Sequence, residues 1–352
     1  MPWIDSLSGV TRYWPANYSR RMSVGPNENS HDVLRERRRL ISLAYRMLGS
    51  LADSEDAVQE AYVRWYRLDE DRRAEIMNPQ GWLTTVTSRI CLDMLGSARS
   101  RREQYVGQWL PEPVPGALFL GTANRGSDPS DRIALDDAVS TALLTVLESM
   151  TPAERVAFVL HEVFAIPFSE VATIVGRSPE AARQLASSAR RHVRRDPSVF
   201  TPTADHDAVV EAFGAACRGG DLSALVALLD SDVVLRSDGG GVVRAARHPV
   251  RGASDVARFL LGVLAKRPGV SVVEVTTTDG LGYAVTLDEQ ILGVVNLGVL
   301  DGRVIHVWVM LNPAKLSAWR PERSSSPTAP PPPGRGQQRD CLESGRDPGS
   351  GS

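Results

Sequence analysis

Residues 168–193 contain the pattern that most restricts how this chain can fold. Its first half has one apolar helix face at the spacing i, i+3 and i+4, formed by Val171, Ile174 and Val175. Gly176 follows, where a left-handed residue commonly ends a helix. Ser178 and Pro179 then predict a new helix start, because serine accepts from unpaired N–H groups and proline has no N–H to lose. The stretch therefore predicts a helix-turn-helix.

The second helix of this pattern has an inner face and a basic face. Leu185, Ala189 and Val193 recur every four residues and are expected to pack inward. Six arginines stand against one carboxylate, Glu180, between positions 177 and 195. Such a face is often merely solvated, but arginine and glutamine on a helix-turn-helix suit guanine and adenine edges. The residues that we expect to bind DNA are Arg177, Arg183, Gln184, Ser187, Arg190 and Arg191.

Composition limits where the chain works and how it could bind nucleic acid. The net charge is −2, so any DNA contact must come from local basic patches. The cysteines at 91, 217 and 341 are far apart and form no CxxC pair, which favours a reducing compartment. No apolar run reaches the length of a membrane span, and residues 1–30 lack the apolar core of a signal peptide. We expect a cytoplasmic protein with no membrane partner.

Residues 31–104 predict a bundle of three helices. The first is expected over Leu34 to Leu48, the second from a cap at Asp53 to about Tyr66, and the third from Asn78-Pro79, after a charged loop at 69–73. A polar face of the second helix is available to a protein partner and contains Asp56, Gln59 and Glu60. The third helix has an apolar stripe formed by Leu83, Val86, Ile90 and Met94.

The opposite face of the third helix places an aromatic ring beside basic and hydroxyl groups. Its members are Trp82, Thr85, Arg89 and Asp93. This mixture is used to hold unstacked bases and phosphates. Packing of Trp82 in the core is the alternative interpretation, and composition alone does not choose between the two.

Residues 105–130 are rich in proline and glycine and predict a linker. Its segment Trp109-Leu110-Pro111-Glu112-Pro113, the linker motif below, is too apolar for a passive spacer and is expected to dock on another part of the chain. After it, residues 131–150 predict a helix, and Thr151-Pro152-Ala153-Glu154 is a capping box that opens a helix to Phe164. His161-Glu162 begins like a zinc-protease motif, but Ala165 replaces the second histidine, so no metal or cofactor is expected.

From residue 204 the pattern changes to helices mixed with strands. Helices are expected at Val209–Cys217, Leu222–Leu229 and Ser254–Lys266. Valine-rich, partly alternating segments predict strands at Val233–Arg236, Val270–Thr277, Leu281–Leu287, Gln290–Leu300 and Val304–Leu311. Residues 204–320 therefore predict an α+β cone with a curved antiparallel sheet. Residues 1–30 are expected to be a flexible extension and residues 321–352 a disordered tail.

The chain resembles the bacterial extracytoplasmic-function (ECF) sigma factors of RNA polymerase over about residues 31–195. The resemblance depends on the segments 45–49, 56–65 and 81–93 and on the helix-turn-helix. It implies a multidomain protein that directs core polymerase to promoters. Residues 31–104 would be sigma region 2, residues 131–196 would be region 4, and both domains would be all-α. The cone looks like a SnoaL-like domain of the nuclear-transport-factor superfamily.

Three motifs resemble the SigJ-like group of these factors, which carry such a C-terminal cone. They are the linker motif, Asp238-Gly239-Gly240-Gly241 and Asn312-Pro313-Ala314-Lys315-Leu316. Val242 stands where the group usually has lysine, and Ala314 stands where it usually has aspartate. The resemblance implies that these motifs carry interdomain regulation.

The resemblance also assigns partners to the faces described above. Asp56, Gln59 and Glu60 would bind the clamp of core polymerase, and region 4 its flap. The face with Trp82 would capture and melt the downstream (minus-ten) promoter element, and the basic face of the helix-turn-helix would read the upstream (minus-thirty-five) element. The cone would act in cis on the two sigma regions and could hold a small apolar ligand.

Two other functions are compatible with parts of the sequence. Some cone domains are enzymes, and the candidate catalytic residues here are Asp238, His248, Asp288 and His306. A lone histidine or aspartate beside a turn is more often structural, so no catalytic residue is assigned. A helix-turn-helix repressor with a ligand domain is the second alternative, but it has no use for the bundle at 31–104.

Overall fold

The computed structural model describes residues 28–103, 105, 107–116, 140–196, 199 and 203–319. Most of the predicted extension, the linker beyond residue 116 and the predicted tail lie outside the described residues. Within them the chain forms two helical units and a cone. The first unit is built of α-helices, the second of α-helices and a π-helix, and the cone of α-helices packed on a six-stranded sheet.

The first helical unit consists of α1 (Glu28–Leu48), α2 (Leu51–Arg67), α3 (Glu70–Glu75) and α4 (Pro79–Glu103). Helix α1 begins inside the predicted extension and before Leu34. The predicted cap at Asp53 is wrong, because Ser50 accepts from the Asp53 N–H and caps α2. The predicted loop at 69–73 is wrong too: Asp69 caps α3 by accepting from the Arg72 N–H.

The buried face of α4 differs in part from the predicted stripe. Leu83 and Ile90 are buried as expected, and Cys91 and Leu95 join them. Val86 and Met94 are only half-buried against the same cluster.

The second helical unit consists of α5 (Thr141–Glu148), α6 (Pro152–Phe158), a π-helix (Val159–Val163), α7 (Phe168–Val175) and α8 (Pro179–Val193). The capping box at Thr151 and Glu154 is present. The helix expected to continue to Phe164 changes to a π-helix after Phe158.

Helices α7 and α8 form the predicted helix-turn-helix. Gly176 is left-handed, with φ 68°, and Ser178 caps α8. The inward face of α8 was predicted wrongly at one position, because Leu185 is only half-buried. The buried residues are Ala182, Ala186, Ala189 and Val193, whose small side chains let α8 pack closely on its neighbours.

The cone packs three helices on one curved sheet. The helices are α9 (Thr203–Gly219), α10 (Leu222–Leu228) and α11 (Ala253–Ala265). The strands are β1 (Leu229–Asp238), β2 (Val250–Arg251), β3 (Ser271–Thr277), β4 (Gly280–Leu287), β5 (Gln290–Leu300) and β6 (Arg303–Met310). Their order is β2-β1-β6-β5-β4-β3. The prediction of an antiparallel sheet is wrong for one pair of neighbouring strands, because β1 and β6 are parallel.

The two helical units share one core. A continuous cluster of buried side chains includes Leu43 and Met47 of α1, Ile90 of α4, Val156 of α6 and Ile174 of α7. Helix α4 contacts both α6 and α7. A separate buried cluster lies on the sheet of the cone. In it, Leu110 of the linker motif packs with Trp308, Met310 and other residues. Among the described residues, no helix has the length and apolar character needed to cross a membrane.

Candidate nucleic-acid interface and interdomain joint

The basic face of α8 points away from the core of the second unit. Arg177, Arg183, Gln184, Ser187 and Arg191 are exposed. Arg183 lies near Glu180, with 3.5 Å between Nη1 and Oε1, and its guanidinium lies 5.6 Å from the centre of the Phe168 ring. These five side chains can reach a duplex while α8 stays packed on its alanine face.

Arg190 is different from the other predicted DNA-binding residues. It is half-buried, and its Nη2 lies 3.0 Å from Oε1 of Glu162 in the π-helix. This pairing could not be predicted from the sequence, because it depends on the π-helix and on the packing of α8. Arg190 therefore holds α8 on its neighbour as well as adding charge to the basic face.

The mixed face of α4 packs on α2 through Trp82 and contacts the second helical unit through Arg89. Trp82 is half-buried and its ring centre lies 5.2 Å from that of Trp65, with the rings tilted at 59°. Thr85 is also half-buried, whereas Arg89 and Asp93 are exposed. Arg89 Nη2 donates to the Thr173 carbonyl of α7 at 3.1 Å. The face predicted to capture the downstream element is thus bonded to the first helix of the helix-turn-helix, which precedes the predicted recognition helix α8.

The predicted partner-binding face of α2 remains on the outside. Asp56 and Gln59 are exposed. Glu60 accepts from Arg64 Nε at 2.9 Å, in an ion pair one helical turn apart. Such exposed pairs add little stability, so this face has no evident role in holding the unit together.

The linker motif docks on the cone through a buried aspartate. Asp238 is 0% exposed and accepts four hydrogen bonds. Its Oδ1 accepts from Tyr105 Oη at 2.6 Å and from the Gly240 N–H at 2.9 Å. Its Oδ2 accepts from the Leu110 N–H at 3.0 Å and from Lys315 Nζ at 2.8 Å. Lys315 also donates to the Leu110 carbonyl at 2.5 Å and lies 4.0 Å from the Trp109 ring centre.

The motifs at 238–241 and 312–316 close around this contact. Asn312 Nδ2 donates to Tyr105 Oη at 2.9 Å. Gly240 is left-handed, and a Cβ there would lie 2.5 Å from the Asn312 side chain, so glycine is required. Pro313 begins the short 3-10 helix that places Lys315. Val242 is 80% exposed and Ala314 is exposed, so neither departure from the group pattern disturbs the buried contact.

The same linker motif binds the first helical unit on its other side. Glu112 Oε2 accepts from the Leu51 N–H at 2.8 Å, at the start of α2. The Glu112 N–H donates to the Gly49 carbonyl at 2.9 Å, and the Tyr45 hydroxyl donates to the Glu112 carbonyl. Pro113 accepts from Trp319 Nε1 of the cone at 2.7 Å. The motif is therefore held between the first unit and the cone.

The second helical unit is tied to the cone at both of its ends. At its start, the Asp279 carboxylate accepts from the backbone N–H and the hydroxyl of Thr141, each at 2.5 Å. Asn296 Nδ2 donates to both Thr141 Oγ1 and Asp279. At its end, Asp196 Oδ2 lies 3.1 Å from His306 Nε2. Sequence reasoning missed Asp279 and Asn296, because an aspartate before glycine is typical of an ordinary turn.

The structure does not bring the four candidate catalytic residues together. Asp238 is occupied by the linker motif, and His306 pairs with Asp196 of the second unit. His248 and Asp288 are exposed at separate turns. Within the described residues, no group of His, Cys, Asp and Glu side chains could hold a metal ion.

Comparison with known proteins identifies the two helical units. Residues 33–101 match the family described as Sigma-70 region 2, and residues 140–193 match Sigma-70, region 4. The chain is 39% identical over 305 residues to "ECF RNA polymerase sigma factor SigJ" of Mycobacterium tuberculosis (strain ATCC 25618 / H37Rv), covering 83% of this chain and 95% of that protein. It belongs to the ECF RNA polymerase sigma factors.

Two further comparisons concern the whole sigma factor. It is 36% identical over 286 residues to "Probable ECF RNA polymerase sigma factor SigI" of the same organism, covering 80% of this chain and 93% of that protein. The crystal structure of Mycobacterium tuberculosis SigJ superposes with a TM-score of 0.64 at 38% identity, covering 83% of this chain and 99% of that one. The predicted fold, two all-α sigma domains and a C-terminal α+β domain, is confirmed.

Membership of this family decides between the functions that the sequence left open. The chain is an alternative sigma factor, and sigma factors bind core RNA polymerase and promoter DNA. Neither the repressor nor the enzyme is favoured, because the SigJ and SigI relatives are named as sigma factors over nearly their whole lengths.

Proposed function

We propose that this sigma factor regulates itself in cis, with its cone holding regions 2 and 4 in a closed arrangement. In that arrangement the two regions share one core and Arg89 of the region 2 face is bonded to α7 of region 4. This direct bond between the region 2 face and the helix-turn-helix is the observation that carries the proposal. The factor works in the cytoplasm, where core polymerase and promoter DNA are found, and has no enzymatic role.

Distance explains why the closed arrangement must open. The two promoter elements are named for positions about 25 base pairs apart, which corresponds to about 85 Å at about 3.4 Å per base pair. Arg89 and Thr173 are separated by a 3.1 Å hydrogen bond. Elements in contact cannot reach both sites at once. Region 4 must therefore leave region 2 when the factor engages a promoter on polymerase.

The cone supports the closed arrangement from two sides. It binds the linker motif through Asp238 and Trp319, and it binds region 4 through Asp279 and His306. The cone could also respond to a small apolar ligand, since Phe259, Leu260, Leu261 and Leu264 of α11 are only half-buried against its core. Such a ligand shifts the balance only as far as it binds one arrangement better than the other.

Regulation in cis is tested by in vitro transcription with core polymerase and a promoter library. The full chain is compared with a version that ends before Ala204. Removing the cone is expected to raise promoter-dependent transcription at limiting polymerase, since region 4 then has fewer bonds to break. Equal transcription by the two versions at every promoter would show that the cone does not regulate.

Capture of core polymerase is expected to depend on the outer face of α2. Replacing Asp56 and Glu60 by alanine removes two exposed carboxylates without touching the core, so the fold should be unchanged. We expect at least a tenfold loss of affinity, on the order of 1.4 kcal/mol or more, in a pull-down or binding titration. The control is Glu70→Ala with Asp71→Ala, an equal loss of charge on exposed α3. Equal binding by the two variants would remove this face from the polymerase interface.

The basic face of α8 is expected to divide into base contacts and phosphate contacts. Gln184→Ala should relax sequence preference at one position of the upstream element, by about 1–3 kcal/mol. Arg191→Ala should weaken all sequences similarly and reduce the salt dependence of binding by about one phosphate contact. Both changes are measured by DNA binding to matched and mutated elements across a salt series. Unchanged preference in the Gln184 variant would exclude that residue from base reading.

A further inference from the structure

Glu112 lies at the joint where region 2, the linker motif and the cone meet. It is 2% exposed, because the cone and region 2 hold its segment between them. One carboxylate oxygen, Oε2, accepts from the Leu51 N–H at 2.8 Å, and the Ser50 hydroxyl also favours the ionised form. The other oxygen, Oε1, is buried without a hydrogen-bond partner. An ionised carboxylate is therefore only partly compensated at this joint.

Charged and titratable groups face Glu112 from each neighbouring part. Lys315 of the cone favours the ionised form and Asp53 of α2 opposes it, while the Tyr45 hydroxyl of α1 binds the Glu112 carbonyl. Region 4 reaches the same joint at Gly49, where a Cβ would lie 3.5 Å from Glu148 Oε1, and Glu148 itself is paired with Arg155. In the open arrangement that we propose, the linker motif leaves region 2 with the cone, so Glu112 separates from the start of α2 and is hydrated.

We propose that protonation of Glu112 favours the closed arrangement, so that this sigma factor opens more readily as the pH rises. The inference rests on the proposed closed and open arrangements and adds the signal to which they respond. It follows from the position of the carboxyl: buried and half-satisfied when the factor is closed, and hydrated when it is open. A group of this kind binds its proton more tightly in the closed form.

The direction and range of the effect follow from the acidity of this group. Burial raises the pKa of Glu112 from its ordinary value of 4.5 to about 7 in the closed arrangement. Closure is therefore fully favoured below about pH 4.5, weakens as the pH rises toward 7, and changes no further once both forms are ionised. Between pH 6 and pH 8 the opening equilibrium constant should rise about tenfold.

Asp279 and His306 also make contacts between domains, so their effect on the pH dependence of opening must be distinguished from that of Glu112. Burial raises the pKa of Asp279, which binds Thr141, and His306 pairs with Asp196. Glu112→Gln places a neutral group of the same shape at the joint and mimics the protonated carboxyl. Asp279→Asn and His306→Gln are the matched variants at the other two places.

The test follows opening in the full chain by the distance between spin labels at Arg67→Cys on α2 and Ser169→Cys on α7. Both positions are exposed, Cys91 and Cys217 are buried, and Cys341 is replaced by serine. Core polymerase is titrated at pH 6, 7 and 8, and the concentration that opens half of the molecules is recorded for each variant. Circular dichroism confirms that each variant is folded.

Each variant is compared with the unsubstituted chain at the same pH, so that any effect of pH on polymerase itself cancels. The half-opening concentration of Glu112→Gln divided by that of the unsubstituted chain should rise about tenfold from pH 6 to pH 8. The same ratios for Asp279→Asn and His306→Gln, measured in parallel, give the part of the pH dependence that belongs to those two contacts. A ratio for Glu112→Gln that stays constant with pH overturns the proton linkage and leaves regulation in cis standing. If polymerase leaves the label distance unchanged at every pH, closure and its proton linkage are both wrong.

Discussion

Replacing Asp238 by asparagine is expected to destabilise the contact between the cone and the linker motif by about 3–5 kcal/mol. Each oxygen of this carboxylate accepts two hydrogen bonds, so an amide nitrogen on either side would face two donors. The substitution also removes the charge that balances Lys315, whose side chain is 11% exposed. An uncompensated buried ammonium and two misplaced donors are costly together.

Chemical denaturation of the full chain measures the total effect of Asp238→Asn, and hydrogen exchange at the Leu110 N–H locates it. The control is Asp255→Asn in the same cone, which removes a carboxylate that is 72% exposed and 3.9 Å from Arg258. That exposed pair should contribute less than about 1 kcal/mol. If Asp238→Asn costs no more than Asp255→Asn, the buried contact does not hold the linker motif. We expect the Asp238 variant also to transcribe more at limiting polymerase.

Local signals in the sequence were sufficient to predict the helix-turn-helix. The left-handed Gly176 and the cap at Ser178 depend on residues within one turn, so they can be predicted without knowledge of the rest of the fold. The start of α2 shows the limit of such signals. Ser50 and Asp53 are both good capping residues, and the choice of Ser50 depends on where the chain leaves α1.

The parallel pairing of β1 with β6 could not be predicted from alternation of residues. Both strands have the valine-rich character expected of a sheet, but their direction depends on contacts between residues far apart in the chain, such as Leu235 with Val307. Val250–Arg251 was missed because two residues are too few to show any period.

The interdomain joint was predicted in outline but not in its contacts. The apolar start of the linker motif indicated docking, and the structure places Leu110 in a buried cluster with Trp308. Asp279 and Asn296 gave no signal, because a polar residue acquires an interdomain role only when folding buries it beside Thr141. The roles of Asp56, Gln59, Glu60 and the basic face of α8 in binding partners stay predictions.

Arg155→Met is expected to weaken the closed arrangement by removing a bond between regions 2 and 4. Arg155 is 3% exposed; its Nη1 donates to the Met47 carbonyl of α1 at 2.9 Å and to Glu148 Oε1 at 2.6 Å. Only the first bond crosses between the regions. A hydrogen bond from a charged donor contributes about 1.5–3 kcal/mol, so opening should become about ten- to a hundredfold more favourable.

The bond from Arg155 to Glu148 acts within region 4, so its contribution must be measured apart from that of the bond to the Met47 carbonyl. Loss of the Arg155 ion pair at the half-buried Glu148 adds a loss of stability, which brings the total for Arg155→Met to about 3–5 kcal/mol. In the double variant with Glu148→Gln, most of that additional loss should disappear while easier opening remains. Spin-label distances measure opening, denaturation measures stability, and Arg258→Met, which breaks an exposed pair, is the control. Opening no easier than in that control would mean that Arg155 stabilises region 4 alone and that the shared core holds the regions together.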